Sequence, residues 1–250
     1  MNELKRPLIF AAIMIPIACI AGYFLALYEI NMFSGALLDE AIAELGSIEL
    51  FILLVIGQYV MYAAICGFCG YLLSDKLGLI RSFRLEGNAL KKSLLISSAA
   101  ALLFSLDYWT FGAIYPEIQI ADAAGLTLTS WIASILGGGI IEELMLRWFL
   151  MSLIAFLLWK IFFRKEQTAP TKALIIANIV AALLFAAGHI PANTLIFGEL
   201  TPLILIRCFL LNGGAGLIFG YLFRKYGIQY AILSHMLFHV ISKTVWTLFI

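Results

Sequence analysis

Charge is scarce in this chain. Of its 250 residues only 12% are Asp, Glu, Lys or Arg, while 63% are hydrophobic and the mean hydropathy is +1.02. A soluble domain is usually roughly 25% charged and about 45–50% apolar, so the composition excludes one and makes lipid the expected solvent. There is no basic tract with interleaved aromatics, which leaves nucleic acid without a surface. Cysteine is limited to Cys19, Cys66, Cys69 and Cys208, all in apolar runs. Cys66-x-x-Cys69 has redox-motif spacing, but on a membrane helix small-residue packing is the expected role. No internal repeat is detectable, which weakens a transporter reading, since many transporters are built from inverted halves. No small-x-small cleavage site closes the apolar run after Met1–Pro7, so that run reads as a retained signal anchor. No stretch is long or polar enough for a soluble domain, and residues 1–250 read as one integral membrane domain.

What is abundant is apolar sequence of membrane length. About 20 apolar residues cross a bilayer as a helix. On that ruler spans fall near 8–28, 49–73, 93–113, 127–159, 173–190, 201–223 and 228–250. The fold class expected is therefore an all-α polytopic transmembrane helical bundle of about seven to eight spans. With the N-terminus inside, thirteen of the sixteen Lys and Arg residues fall in cytoplasmic segments, from Lys5 and Arg6 to Arg224 and Lys225. The outer loops are acidic, with Glu29, Asp39, Glu40, Glu44, Glu49, Glu117, Asp122 and Glu199. This satisfies the positive-inside rule. The fourth run is too long to cross directly: 33 residues would rise about 50 Å against about 30 Å of hydrocarbon. Gly137-Gly138-Gly139 is the expected place for a kink or close helix contact.

Histidine is scarcer still. The chain has three, and all belong to short polar patterns inside apolar runs: Glu142-Glu143-x-x-x-Arg147, Phe185-x-x-x-His189 and His235-x-x-x-His239. An ionisable side chain at membrane depth is a functional hypothesis by default. Glu143 and Arg147 are four apart, on one helical face, and should pair. Glu142 is five from Arg147, about 140° away around an α-helix, and is left without that partner. A free carboxylate converging with imidazoles can activate water. Glu142 lies 18 residues before Lys160 and His189 lies 17 after Lys172, so an antiparallel hairpin sets both about 25 Å above its loop. Phe185 and Arg147 match likewise. His235 is only ten residues beyond Lys225, or about 15 Å, so the third pattern meets the others only if the hairpin extends about 10 Å further into the cytosol.

Taken in order, the three patterns resemble the CPBP family, which includes CAAX prenyl endopeptidases of the Ras-converting type and bacterial Abi or bacteriocin-processing proteins. The resemblance covers roughly Trp131–Ser242, with a family-like catalytic core at about 127–250. It implies an intramembrane endopeptidase of the glutamate type, with no cofactor, in which Glu142 and His189 activate water. By the same resemblance His235 and His239 support the oxyanion, while Glu143, Arg147 and Phe185 support the site. Its partners would be a membrane-associated peptide or protein substrate and the bilayer, with no nucleic acid. Its location would be the bacterial cytoplasmic membrane, N-terminus inside. Two positions depart from the family pattern. His239 stands where Asn is usual, and Trp148 stands where a small residue is common.

Two rival readings remain at this stage. Glu142, His189, His235 and His239 are a plausible zinc set by donor type, although no His-Glu-x-x-His is present. A membrane scaffold or immunity-type protein could use the same cluster to bind a partner helix. Among the remaining polar residues, Asp107 reads as structural, near the outer interface beside Tyr108 and Trp109. Arg207 and Lys243 read as snorkelling from span ends. Asn212-Gly213-Gly214 and Gly216-x-x-x-Gly220 read as close helix packing.

Overall fold

The computed structural model describes residues 3–32 and 36–250. Every regular element among them is helical. Among the described residues, seven helical stretches are long and apolar enough to cross a membrane: Lys5–Met32, Ile48–Lys76, Gly87–Ile114, Leu128–Phe162, Thr171–Phe197, Pro202–Tyr226 and Ile228–Phe249. The protein is a polytopic all-α membrane bundle, with spans close to those the hydropathy marks. Leu53, Leu103, Ile179 and Leu183 stand exposed along these stretches. In water such a surface would be a liability; facing lipid it is the expected surface.

The first long helix, α1 (Lys5–Met32), packs on α3 (Ile48–Lys76), with the short α2 (Ala36–Leu45) between them. Glycine sets their separation, because a Cβ on Gly22 would come 2.9 Å from the Cα of Ile56. Small residues let membrane helices approach this closely, where dispersion rather than the hydrophobic effect holds them. The third span is interrupted at Leu106, dividing α4 (Gly87–Ser105) from α5 (Asp107–Ile114); α6 (Pro116–Ala124) follows.

The fourth span carries the main irregularity. After α7 (Leu128–Ala133) the chain winds as π-helix over Ser134–Glu142 and again over Leu144–Met151, then returns to α-helix in α8 (Ser152–Phe162). The expected kink at the glycine triplet is thus an extended i→i+5 winding, a rare form that concentrates at functional sites. Gly138 and Gly139 face α13 (Ile228–Phe249). A Cβ on Gly138 would come 2.6 Å from His239 Nε2, and one on Gly139 would strike Met236.

Trp148, on the same span, is fully buried. Its Nε1–H donates to the Gly67 carbonyl at 3.3 Å, and a Cβ on Gly70 would lie 2.8 Å from the Trp148 carbonyl oxygen. Gly70 of α3 therefore makes the space this large side chain needs, and Gly67 accepts its hydrogen bond. Cys66 and Cys69, beside them, are free thiols.

The remaining elements are α9 (Thr171–Gly188), α10 (Ile190–Phe197), α11 (Pro202–Cys208), a short π-turn at Phe209–Gly213, and α12 (Gly214–Tyr226), which leads into α13 through Gly227. Gly216 of α12 lies so close to α9 that its Cβ would come 3.1 Å from the Ala182 Cα. Gly220 likewise leaves room for Asn178. The small residues of the sixth span act as close packing, as the sequence implied.

Candidate active site

The second pattern owes its geometry to a helix break. Pro191 lacks an N–H and crowds the carbonyl four residues earlier, so α9 ends at Gly188 and α10 begins anew with Pro191 in its first turn. At the break the His189 backbone N–H donates to Ala186 O at 3.1 Å. In an unbroken helix it would donate to Phe185 O. That carbonyl instead lies 2.9 Å from His189 Nδ1. A carbonyl only accepts, so Nδ1 carries the proton and Nε2 keeps its lone pair. The Phe185 ring holds the imidazole edge-on, with centroids 4.7 Å apart. Phe185-x-x-x-His189 is therefore a device for setting one tautomer and one ring orientation.

The first pattern separates its two glutamates. Glu143 and Arg147 form a fully buried ion pair at 3.0 Å. The guanidinium also lies 4.8 Å over the Phe185 ring and 5.6 Å from that of Phe219. Gly216 makes this possible, since a Cβ there would come 3.2 Å from an Arg147 terminal nitrogen. Glu142 has no ion-pair or hydrogen-bond partner among the described residues and lines the cavity.

The third pattern closes the group from α13. His235 Nδ1 lies 2.8 Å from Glu143 Oε1. A carboxylate accepts, so His235 also carries its proton on Nδ1 when neutral. Its ring is stacked between Phe219 at 4.3 Å and His239 at 4.8 Å. His239 has no hydrogen-bond partner among the described residues, and its Nε2 reaches over Gly138.

All four expected site residues, Glu142, His189, His235 and His239, line one cavity of about 490 Å³, together with Phe185. The three patterns therefore meet in one place. Among the described residues, no three His, Cys, Asp or Glu side chains are grouped so as to hold a metal ion.

The same cavity contains polar residues assigned other roles from sequence, and these are corrections. Arg207 does not snorkel: it holds Asp107 through Nε at 2.9 Å and lines the cavity. Lys243 is 8% exposed, and its Nζ donates to Ser130 Oγ at 2.6 Å and to Gly125 O at 3.1 Å, between α6 and α7. Asp107 is buried and held by Arg207. A signal was available. Lys243 continues the four-residue spacing of His235 and His239 along one helical face.

Comparison with known proteins bears on the same segment. Residues 124–241 match the family model described as Rce1-like, type II CAAX prenyl endopeptidase. This bears out the family that the three patterns resemble, and all three fall inside the matched segment. No curated protein and no solved structure matches the chain.

Proposed function

Taking residues 124–241 as a member segment of the Rce1-like, type II CAAX prenyl endopeptidase family, we propose that this integral membrane protein is a metal-independent intramembrane endopeptidase. It hydrolyses a peptide bond of a membrane-associated peptide or protein, using water activated by Glu142 and His189. The observation that carries this reading is the 2.9 Å contact between His189 Nδ1 and the Phe185 carbonyl. It leaves Nε2 as an acceptor in the cavity that Glu142 also lines. A water held by that nitrogen can lose a proton to the Glu142 carboxylate as it attacks the substrate carbonyl. The protonated Glu142 then supplies the proton to the leaving amine. Exclusion of bulk water strengthens each of these interactions.

The oxyanion falls to His235 and His239, which play unequal parts. Neutral His235 spends its one N–H on Glu143 and offers a lone pair at Nε2. It donates to an oxyanion from Nε2 only as the imidazolium. His239 is unencumbered and can donate as the neutral ring. Arg147 balances Glu143 when His235 is neutral.

The membrane we assign is the bacterial cytoplasmic one, with the N-terminus and the loop between Lys160 and Lys172 inside. Substrate would enter from the lipid or the cytoplasmic side. The class of activity is tested with purified protein in lipid nanodiscs mixed with a membrane-protein extract, reading new peptide C-termini by mass spectrometry. Native protein should generate them in the presence of a strong chelator, and His189→Ala should not. Cleavage abolished by chelator and restored by zinc would replace this reading with the metalloenzyme.

A further inference from the structure

Ahead of the family-matched segment 124–241, one side chain of α3 reaches the catalytic span. Tyr59 lines the cavity together with Glu142 and His239. A Cβ on Gly137 would come 3.2 Å from Tyr59 Oη, and one on Gly138 would come 2.6 Å from His239 Nε2. Two adjacent glycines of one π-helical stretch thus carry a phenol and an imidazole. The i→i+5 winding sets Glu142 one turn beyond Gly137. Tyr59 is also held in place. A Cβ on Gly22 of α1 would come 3.2 Å from the Tyr59 Cβ, and the Tyr62 ring centroid lies 6.1 Å from that of Tyr59. The Tyr59 hydroxyl has no hydrogen-bond partner among the described residues and is not sealed off.

The reaction has a use for such a donor. An oxyanion is held by preorganised donors aimed at the position where its charge develops. On the reading above, His239 is the one neutral imidazole free to donate, because His235 spends its N–H on Glu143. Other cavity donors are engaged. Asn193 Nδ2 donates to His189 O at 2.7 Å and Asn212 Nδ2 to Cys208 O at 3.2 Å. Arg207 holds Asp107, and Lys243 donates to Ser130 and Gly125. Tyr28 lies six residues beyond Gly22 on α1, a rise of about 9 Å away from the Tyr59 contact. A neutral phenol, by contrast, always has an O–H to donate.

We infer that Tyr59 is a further catalytic residue, whose hydroxyl donates a hydrogen bond to the oxyanion beside His239. The inference rests on the endopeptidase reading and adds a second neutral donor to it. As water attacks the carbonyl carbon, the C=O π pair moves onto oxygen. Tyr59 O–H and His239 N–H hydrogen-bond that oxygen and keep their protons. The pair returns to re-form the carbonyl as the C–N bond breaks and Glu142 protonates the departing amine.

The test uses purified protein in lipid nanodiscs with a membrane-protein extract, reading initial rates of new peptide C-termini by mass spectrometry at two extract dilutions. Tyr59→Phe keeps the ring and removes only the hydroxyl. Its rates should fall roughly a hundredfold, the usual scale for one oxyanion donor, with the Tm unchanged. The loss should be equal at both dilutions, because a contact made only in the transition state lowers kcat and kcat/KM together. The acid limb of the pH–rate profile should stay where it is in native protein. A shifted limb would mean that Tyr59 acts through Glu142 and would overturn the oxyanion role. Gly137→Ala keeps Tyr59 but presses on its hydroxyl, and should cost about tenfold in native protein and nothing further in Tyr59→Phe. That variant decides the matter if Tyr59→Phe unfolds, a native rate then counting against the role. Native rates in Tyr59→Phe overturn the inference and leave the endopeptidase standing. If native protein itself generates no new C-termini, both fall.

Discussion

His235 reaches from the last helix to Glu143, placing its Nδ1 2.8 Å from the carboxylate oxygen that also lies 3.0 Å from Arg147 Nη1. One glutamate oxygen thus joins the first and third patterns and keeps Glu143 engaged on two sides, while Glu142 faces the cavity unpaired. The division of labour between adjacent glutamates rests on this contact as much as on helical angle.

Arg147 should therefore be a structural residue. Arg147→Ala strands Glu143 in a fully buried site, and breaking a buried pair this way typically costs about 3–5 kcal/mol. Melting in detergent should show a clearly lower Tm for Arg147→Ala than for Glu142→Gln. Equal melting temperatures would count against the assignment.

The glycine triplet should separate function from stability. A Cβ on Gly138 meets only the tip of the His239 ring at 2.6 Å, whereas one on Gly139 meets Met236 side chain and backbone, with the Cα at 3.1 Å. Gly138→Ala should displace the imidazole and lower activity by roughly tenfold or more while largely keeping the fold. Gly139→Ala should lower the Tm by forcing the two helices apart, at a cost of about 1–3 kcal/mol. Paired activity and melting data on both variants check the contrast; identical behaviour would contradict it.

His239 stands where the family pattern has Asn, and its free ring over Gly138 suits a hydrogen-bond donor. An amide NH₂ is a permanent donor, so His239→Asn should retain much of the activity. His239→Leu should lose roughly a hundredfold or more, the usual scale for one oxyanion donor. Native-like turnover by the Leu variant would make His239 a packing residue and leave the oxyanion to His235.

Orientation is open to a direct test, because the loop between α8 and α9 carries Arg164 and Lys165 and is predicted to be cytoplasmic. A single reactive cysteine placed there, in a background lacking the natural four, should resist an impermeant thiol reagent in intact cells and react after lysis. Labelling in intact cells would reverse the topology.

The span pattern was legible because hydropathy over 20 residues is insensitive to local geometry. The segment expected at 127–159 is observed as Leu128–Phe162, and the last one at 228–250 as Ile228–Phe249. The Glu143–Arg147 pair was legible too, since four residues separate partners on one face. That His235 and Glu142 share a cavity was not legible from residue counts, because Ser134–Glu142 and Leu144–Met151 wind as π-helix, where an α-helical rise does not hold. The tautomer of His189 was hidden because it depends on the Phe185 carbonyl being left free where the His189 N–H turns to Ala186 O, a three-dimensional consequence of the helix break. Arg207 and Lys243 were misplaced because snorkelling assumes a lipid-facing side chain, and both face inward to a cavity to which all seven membrane-length stretches contribute.

The central claim is that Glu142 activates the attacking water. Its most direct test is quantitative mass spectrometry of membrane polypeptides and released peptides from cells expressing either native protein or Glu142→Gln at equal levels. The account predicts that at least one membrane polypeptide accumulates uncleaved with Glu142→Gln, that its released fragment disappears, and that His189→Ala reproduces both changes. Cleavage at the native rate in the Glu142→Gln cells would contradict it.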